Sequence, residues 1–293
     1  MPAPLERLVI APSDRRRAIV GVIRSARHQL ALSIFRCDDE PVLRALAAAA
    51  ARGVRVSAIV TARAKAGGRG LDRVSEWLAA HGVEVRRCSS WTKYHAKYVV
   101  ADERIAIVTS LNFTPKCFER TCDFLLVTRD AAVVSGLTAL FAADWSARPA
   151  ELTAAQRERL IVGPDDAPRR RFASLLTQAR NRVRLIDAKL TDPFTCRLLE
   201  ARRRTGVAVE IAGKRMLRPL RAHGKLLVID DAAAVIGSIA LSPTSLDRRR
   251  ELAVVIRNPG LIAALDGFWS THCEPARVVP MAHAPVPFVE VAS

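Results

Sequence analysis

Two histidines in this chain are each followed two residues later by a lysine: His95-Ala-Lys97 and His223-Gly-Lys225. Lysine is scarce, seven against thirty-nine arginines. A lysine at that spacing after a given histidine is therefore roughly a one-in-forty coincidence. On a strand, residues i and i+2 point to the same face, so each motif presents an imidazole beside an ammonium. Two such pairs around one cavity suit phosphodiester cleavage. One neutral imidazole attacks phosphorus, the other, protonated, donates to the leaving alkoxide, and the ammoniums neutralise the phosphoryl oxygens. An ordinary histidine titrates near ~6.5, so both protonation states are accessible near neutrality. Such a site requires no metal and no cofactor, and no carboxylate cluster suited to Mg²⁺ or Zn²⁺ is evident.

The remaining histidines, His28, His81, His272 and His283, stand alone and read as ordinary polar residues. The six cysteines form no CxxC pair and no zinc spacing, and read as reduced, packed thiols.

The elements that must position the motifs come in two copies. Ala26-Arg27, Leu32, Asp39 and Gly53-Val54 recur as Ala179-Arg180, Leu185, Asp192 and Gly206-Val207, 153 residues on. His95, Lys97, Asp102 and Ser110 recur as His223, Lys225, Asp230 and Ser238, 128 residues on. Gly136-Leu137 and Trp145-Ser146 match Gly260-Leu261 and Trp269-Ser270 at an offset of 124. The order is kept while the offset shrinks, as expected of a duplicated domain whose second copy is shorter.

Each copy alternates apolar strands with amphipathic helices, and a glycine (Gly53, Gly206) follows the second helix as a stop. The pattern predicts two pseudo-symmetric α/β halves with mixed sheets flanked by helices. The first half is expected over 1–150 and the second over 166–293, with a Pro-, Ala- and charge-rich linker at 151–165. The extra length of the first copy falls after Val60: a basic, Gly-rich stretch from Ala62 to Gly70, a helix near Leu71 to Ala80, and a strand at Val83 to Arg87.

With these residues in view, the sequence resembles the phospholipase D superfamily, whose signature is HxKxxxxD followed by a Gly-Ser and Asn segment. The first copy reads His95-Ala-Lys97, Asp102, then Thr109-Ser110-Leu-Asn112. The second reads His223-Gly-Lys225, Asp230, then Gly237-Ser238-Ile-Ala240. The resemblance implies a duplicated phospholipase D-like fold with one shared site, His95 as nucleophile forming a phosphohistidine and His223 as general acid. It implies that Lys97, Lys225, Ser110, Ser238 and Asn112 hold the phosphate. The orienting carboxylates would be Asp123 and Glu251, each 28 residues beyond the histidine of its own copy. Asp102 and Asp230 precede turns and read as structural. Three positions depart from the family pattern: Thr109 for Gly, Ala240 for Asn, and Asp123 for the longer Glu.

The formal net charge of +17 favours an anionic phosphodiester substrate, lipid or nucleic acid. A phospholipid head group is the first expectation, with peripheral membrane association and an apolar tail from Val278 to Val291 assisting. A nuclease is the alternative, with Arg63 to Arg69 and Trp91 as backbone and base contacts; a non-catalytic nucleic-acid-binding module is a third. No signal peptide or membrane-spanning run is evident, which points to the cytoplasm. Because one chain carries both motifs, a monomer suffices for a complete site.

Overall fold

The computed structural model describes residues 4–61, 68–88, 93–213, 217 and 219–273. The basic stretch Arg63 to Arg69 falls largely outside them, as do Trp91 and the tail from Val278 to Val291.

The predicted duplication is present as two mixed sheets. In the first, seven strands run in the order Glu6–Val9, Leu125–Thr128, Ile105–Thr109, Tyr98–Ala101, Gln29–Ile34, Arg55–Thr61, Glu84–Cys88. In the second, six run Leu160–Val162, Leu252–Ile256, Ala233–Gly237, Lys225–Ile229, Arg182–Ile186, Ala208–Ala212. The orders match strand for strand. The seventh strand is Glu84–Cys88, delivered by the Gly68–Ala80 helix, so the inserted segment adds one parallel strand at an edge.

The two-residue periodicity of the strands is hidden because both faces are covered, and Tyr98–Ala101 and Leu252–Ile256 are buried throughout. One face of the first sheet takes the helices Pro12–Ser25 and Glu40–Ala51, and one face of the second takes Ala167–Gln178 and Pro193–Arg204. The opposite faces share a single core. Tyr98, Val108 and Phe124 of the first half meet Leu226, Ile236 and Val254 of the second, with Leu137 and Leu265 from the last helix of each. Burying these side chains is worth about 1.5–3 kcal/mol each, so the two halves stabilise one another.

Short local devices repeat with the sheets. Asp39 and Asp192 cap their helices by accepting from Val42 N and Thr195 N, and each is paired to an arginine, Arg16 or Arg169, at 2.9 Å. Gly53 and Gly206 close those helices at φ of 86° and 89°, where a side chain would be strained. Asp102 and Asp230 sit at equivalent turns, both at positive φ. Asp102 accepts from the backbone N–H of Arg27, His28 and Gln29 at 2.8–2.9 Å, and Asp230 from Arg180, Asn181 and Arg182 at 2.7–2.9 Å. Burial opposes ionisation of both, but the three donors outweigh it and lower each pKa.

Two expectations are corrected. The stretch read as a linker holds the helix Ala154–Arg159 and the strand Leu160–Val162, which pairs antiparallel with Leu252–Ile256 as the edge of the second sheet. Three apolar residues are too short a run to register as a strand by periodicity. The offset of the last helix is 128, not 124. Its N-caps, Asp130 and Asn258, lie 128 apart, and buried Val134, Leu137, Leu140 and Phe141 recur as Ile262, Leu265, Phe268 and Trp269. A four-residue slip on a helix keeps the same face, so the matched Gly-Leu and Trp-Ser pairs pointed to a register one turn out. Trp269 therefore corresponds to Phe141, and it is core while Trp145 is half-buried.

The six cysteines are all free thiols, with Cys37, Cys117, Cys122 and Cys273 buried.

Candidate active site

Two short cross-half pairings bring the motifs together. Lys93–Tyr94 runs parallel to Arg249–Arg250, and Thr121–Cys122 runs parallel to Arg221–Ala222. The backbone N–H of His95 donates to Arg250 O at 2.8 Å, and that of Gly224 to Cys122 O at 2.6 Å. Gly224 is required there, since a Cβ would stand 2.6 Å from the Cys122 oxygen. Side chains reinforce the seam: Arg250 pairs with Asp144 at 3.1 Å, and Tyr94 donates to the same carboxylate.

The orienting carboxylates cross this seam. His95 Nδ1 contacts Glu251 Oε2 at 2.8 Å, and His223 Nδ1 contacts Asp123 at 2.8 and 3.1 Å. Each histidine is thus held by the carboxylate of the other half, not by the one 28 residues ahead of it. Asp123 reaches its histidine despite its shorter side chain. An ionised carboxylate only accepts, so each imidazole carries its proton on Nδ1 and leaves Nε2 unprotonated while the ring is neutral.

The carboxylates are themselves buttressed, and here sequence reasoning missed residues. Asp123 is buried and accepts from Ser110 Oγ at 2.7 Å and from Thr121 Oγ1; Glu251 is buried and accepts from Ser245 Oγ at 2.7 Å. Ser245 and Cys117 occupy equivalent places 128 apart, so the duplication could have found Ser245, but a thiol standing where the other copy has a hydroxyl hid the match. Cys117, Asp123 and His223 form a group whose potential metal-ligating atoms lie within 4.8 Å of one another. Asp123 and His223 in it are already hydrogen-bonded to each other.

Buried Arg15, also missed, donates to the backbone oxygens of Ile10, Cys117, Thr121 and Asp123 at 2.7–3.1 Å and fixes the loop that carries Asp123. Ser110 and Ser238 place their hydroxyls on this framework. Ser110 serves Asp123, and Ser238 accepts from Leu252 N at 3.1 Å. Asn112 Oδ1 is buried with no partner among the described residues. Thr109 is absorbed by a bond to Phe124 O at 2.9 Å, whereas Ala240 replaces the Asn side chain with none. The Ala240 N–H donates to Ser245 Oγ.

The two sides differ electrostatically. Burial drives the His95 pKa down to about 3, with Glu251 opposing and Lys97 and Lys225 adding to the fall. Burial pushes the other way on Glu251, but His95 and Lys97 hold it at about 2. Burial likewise lowers Lys97 to about 7, against the pull of Glu251 and with the push of Lys225. Asp123 stays below its ordinary pKa despite burial, because His223 and its hydroxyl donors stabilise the charge. His95 is the more enclosed imidazole, 12% exposed against 27% for His223. Phe35 stands against it with ring centroids 4.5 Å apart, and the Nζ of Lys97 lies 5.3 Å from the Phe35 ring. Lys97 and Lys225 each donate to the backbone oxygen of their own histidine, at 2.7 and 2.6 Å, which sets both ammoniums beside the imidazoles.

Comparison with known proteins agrees with this geometry. The family described as cardiolipin synthase, PLD-like domain, matches residues 19–145 and again 159–270. A search of curated proteins gave no significant match. Among solved structures, the polyphosphate kinase of Porphyromonas gingivalis superposes with a TM-score of 0.73 at 19% identity, over 89% of this chain and 46% of that one. The chain thus spans less than half of that kinase. The phosphatidylserine synthase of Haemophilus influenzae Rd KW20 superposes with a TM-score of 0.70 at 11% identity, over 92% and 86% of the two chains. At these identities the likeness shows the fold. The family match covers both halves and both motifs, and the chain belongs to the phospholipase D-like family.

Proposed function

We propose that this protein is a metal-independent phosphodiesterase or phosphatidyltransferase acting through a phosphohistidine on His95. The observation that carries this reading is the crossed pairing of His95 with Glu251 and of His223 with Asp123. Glu251 holds the Nδ1 proton of His95, so the Nε2 lone pair attacks phosphorus. His223, protonated on Nε2 and stabilised by Asp123, gives that proton to the leaving oxygen. In the second step neutral His223 takes a proton from water or an alcohol, which attacks the phosphohistidine and restores His95. Lys97 and Lys225 balance the phosphoryl charge, and Asn112, turned so that its amide NH₂ faces the substrate, donates to a phosphate oxygen. Ser110 and Ser238 act through the frame that holds the carboxylate and the strand.

For the substrate we take the head-group phosphodiester of a phospholipid. The family match supports this, as does a net charge of +17 that draws the protein to anionic bilayers from the cytoplasmic side. No helix among the described residues is long and apolar enough to cross a membrane, so the proposed association is peripheral. One observation favours a nucleic acid instead: further cations flank the pair. Lys93 and Arg36 lie 5.0 and 5.7 Å from the Phe35 ring, and Lys189 is close enough to Lys225 and Arg249 for their charges to add to the lowering of its pKa by burial. The test is cleavage in EDTA of phosphatidylglycerol vesicles beside single-stranded DNA and RNA. Release of glycerol supports the lipid reading, nucleotide products alone replace it with the nuclease, and an absolute Mg²⁺ requirement contradicts the mechanism.

A further inference from the structure

The two halves differ on the sheet face under the last helix, and the difference leaves a cavity that neither histidine lines. In the second half, Arg184 lies across the sheet face under the last helix. It bonds Glu210 at 2.8 Å and Asp266 at 2.6 Å, and its guanidinium stands 5.8 Å from the Trp269 ring. Arg182 joins Asp266 at 3.0 Å. The strand registers, Ala31 opposite Ser57 and Arg184 opposite Glu210, show that Ala31 and Ser57 occupy the corresponding places in the first half. With the helix at an offset of 128, Thr138 corresponds to Asp266 and Phe141 to Trp269.

A buried-edge ion cluster has thus been replaced by an alanine, a serine and a threonine. The space it vacates is a cavity of about 430 Å³ lined by Ala31, Ser57, Thr138 and Phe141. That is within the range of small-ligand sites. Its aromatic wall is Phe141 stacked on Trp145, centroids 5.5 Å apart. Its rim carries Glu84, which accepts from Ser57 at 2.8 Å, and Glu103, which accepts from Gln29 at 2.6 Å. Neither carboxylate has a cationic partner among the described residues. Arg55, the one cation of the rim among the described residues, donates to Gln29 Oε1 at 2.7 Å. The rim is therefore net acidic on a strongly basic protein.

We propose that this cavity binds a small planar organic cation, an amidinium or guanidinium on an apolar body, which takes the place the Arg184 side chain fills in the second half. The flat cation lies against the Phe141–Trp145 pair and its N–H groups reach Glu84 and Glu103, as Arg184 reaches Glu210 and Asp266 beside Trp269. Neutral and anionic analogues lack the charge that the two carboxylates select.

Benzamidine serves as the probe, titrated calorimetrically into the full-length protein, with benzamide and benzoate as controls. One saturable site with a Kd on the order of 0.1–1 mM is expected, with both controls at least about tenfold weaker. Restoring the cluster with Ala31→Arg, Ser57→Glu and Thr138→Asp should abolish binding and leave phosphodiesterase activity intact. Glu84→Gln, at an exposed position that does not endanger folding, should weaken binding about fivefold to tenfold. Absence of saturable binding to the unaltered protein overturns the proposal. So does benzamide binding as tightly as benzamidine, or Glu84→Gln leaving the affinity unchanged.

Discussion

His95 Nδ1 lies 2.8 Å from Glu251 Oε2, a carboxylate 156 residues farther along the chain and in the other half of the molecule. With its mirror, His223 on Asp123, this contact makes the duplication one site instead of two. Neither half holds a complete histidine–carboxylate pair.

Glu251→Gln should therefore damage the chemistry of His95, although it lies in the other copy. The amide can present N–H to Nδ1, move the imidazole proton to Nε2 and occupy the attacking lone pair. A loss of roughly 10³–10⁴ in kcat with KM nearly unchanged is expected from the cost of a wrong tautomer elsewhere. In His95→Ala the same change should cost little more, and steady-state kinetics of the two singles and the double measures that coupling.

Lys97 should appear in the pH profile, and His95 should not. With a pKa of about 3, His95 is already neutral at any ordinary pH. Lys97, lowered to about 7, is charged below that value and loses its proton as pH rises through it. A fall in kcat/KM as pH rises through about 7 follows, on top of the loss of the proton that His223 must donate. Lys97→Arg, whose guanidinium stays charged, should keep some activity and remove the Lys97 step from that limb, leaving only the fall set by the general acid.

Arg15 should be among the most costly residues to remove. Arg15→Met strips donors from four backbone oxygens, three of them buried and that of Ile10 partly so, and should destabilise the fold by roughly 3–5 kcal/mol in urea denaturation. Activity should fall further than the folded fraction, because the loop it holds positions Asp123.

Gly237 and Thr109 are equivalent by register but not exchangeable. Gly237 sits at φ 155°, and a Cβ there would meet Leu252 O at 2.3 Å and Ala253 Cα at 2.5 Å. Gly237→Ala should cost about 2–4 kcal/mol. Thr109→Gly introduces no clash and should cost less, about 1–2 kcal/mol, from the loss of the bonds of Oγ1 to Phe124 O and from Leu111 N and some backbone entropy. Thermal unfolding of the two variants compares them directly.

Much of this was legible in the sequence. The HxK spacing, the matched serines and the offsets of 153 and 128 led to the duplicated α/β fold, which the two sheets and the family match bear out. What stayed hidden has physical reasons. Strand Leu160–Val162 is too short to show a period, and a one-turn slip on a helix preserves its buried face. Which carboxylate serves which histidine depends on the docking of two halves, and linear distance along the chain carries no trace of it. Arg15 and Ser245 act on backbone and carboxylate through folding alone, and neither lies in a motif.

The central claim is that His95 is the nucleophile of one site shared by the halves. Its direct test is acid-sensitive phosphoryl mapping by mass spectrometry after rapid quench with a turned-over phosphodiester. One adduct per chain, on His95 Nε2, absent from His95→Ala and building up when His223→Ala slows its resolution, is the predicted result. An adduct on His223, or turnover with no adduct on either histidine, would contradict the account.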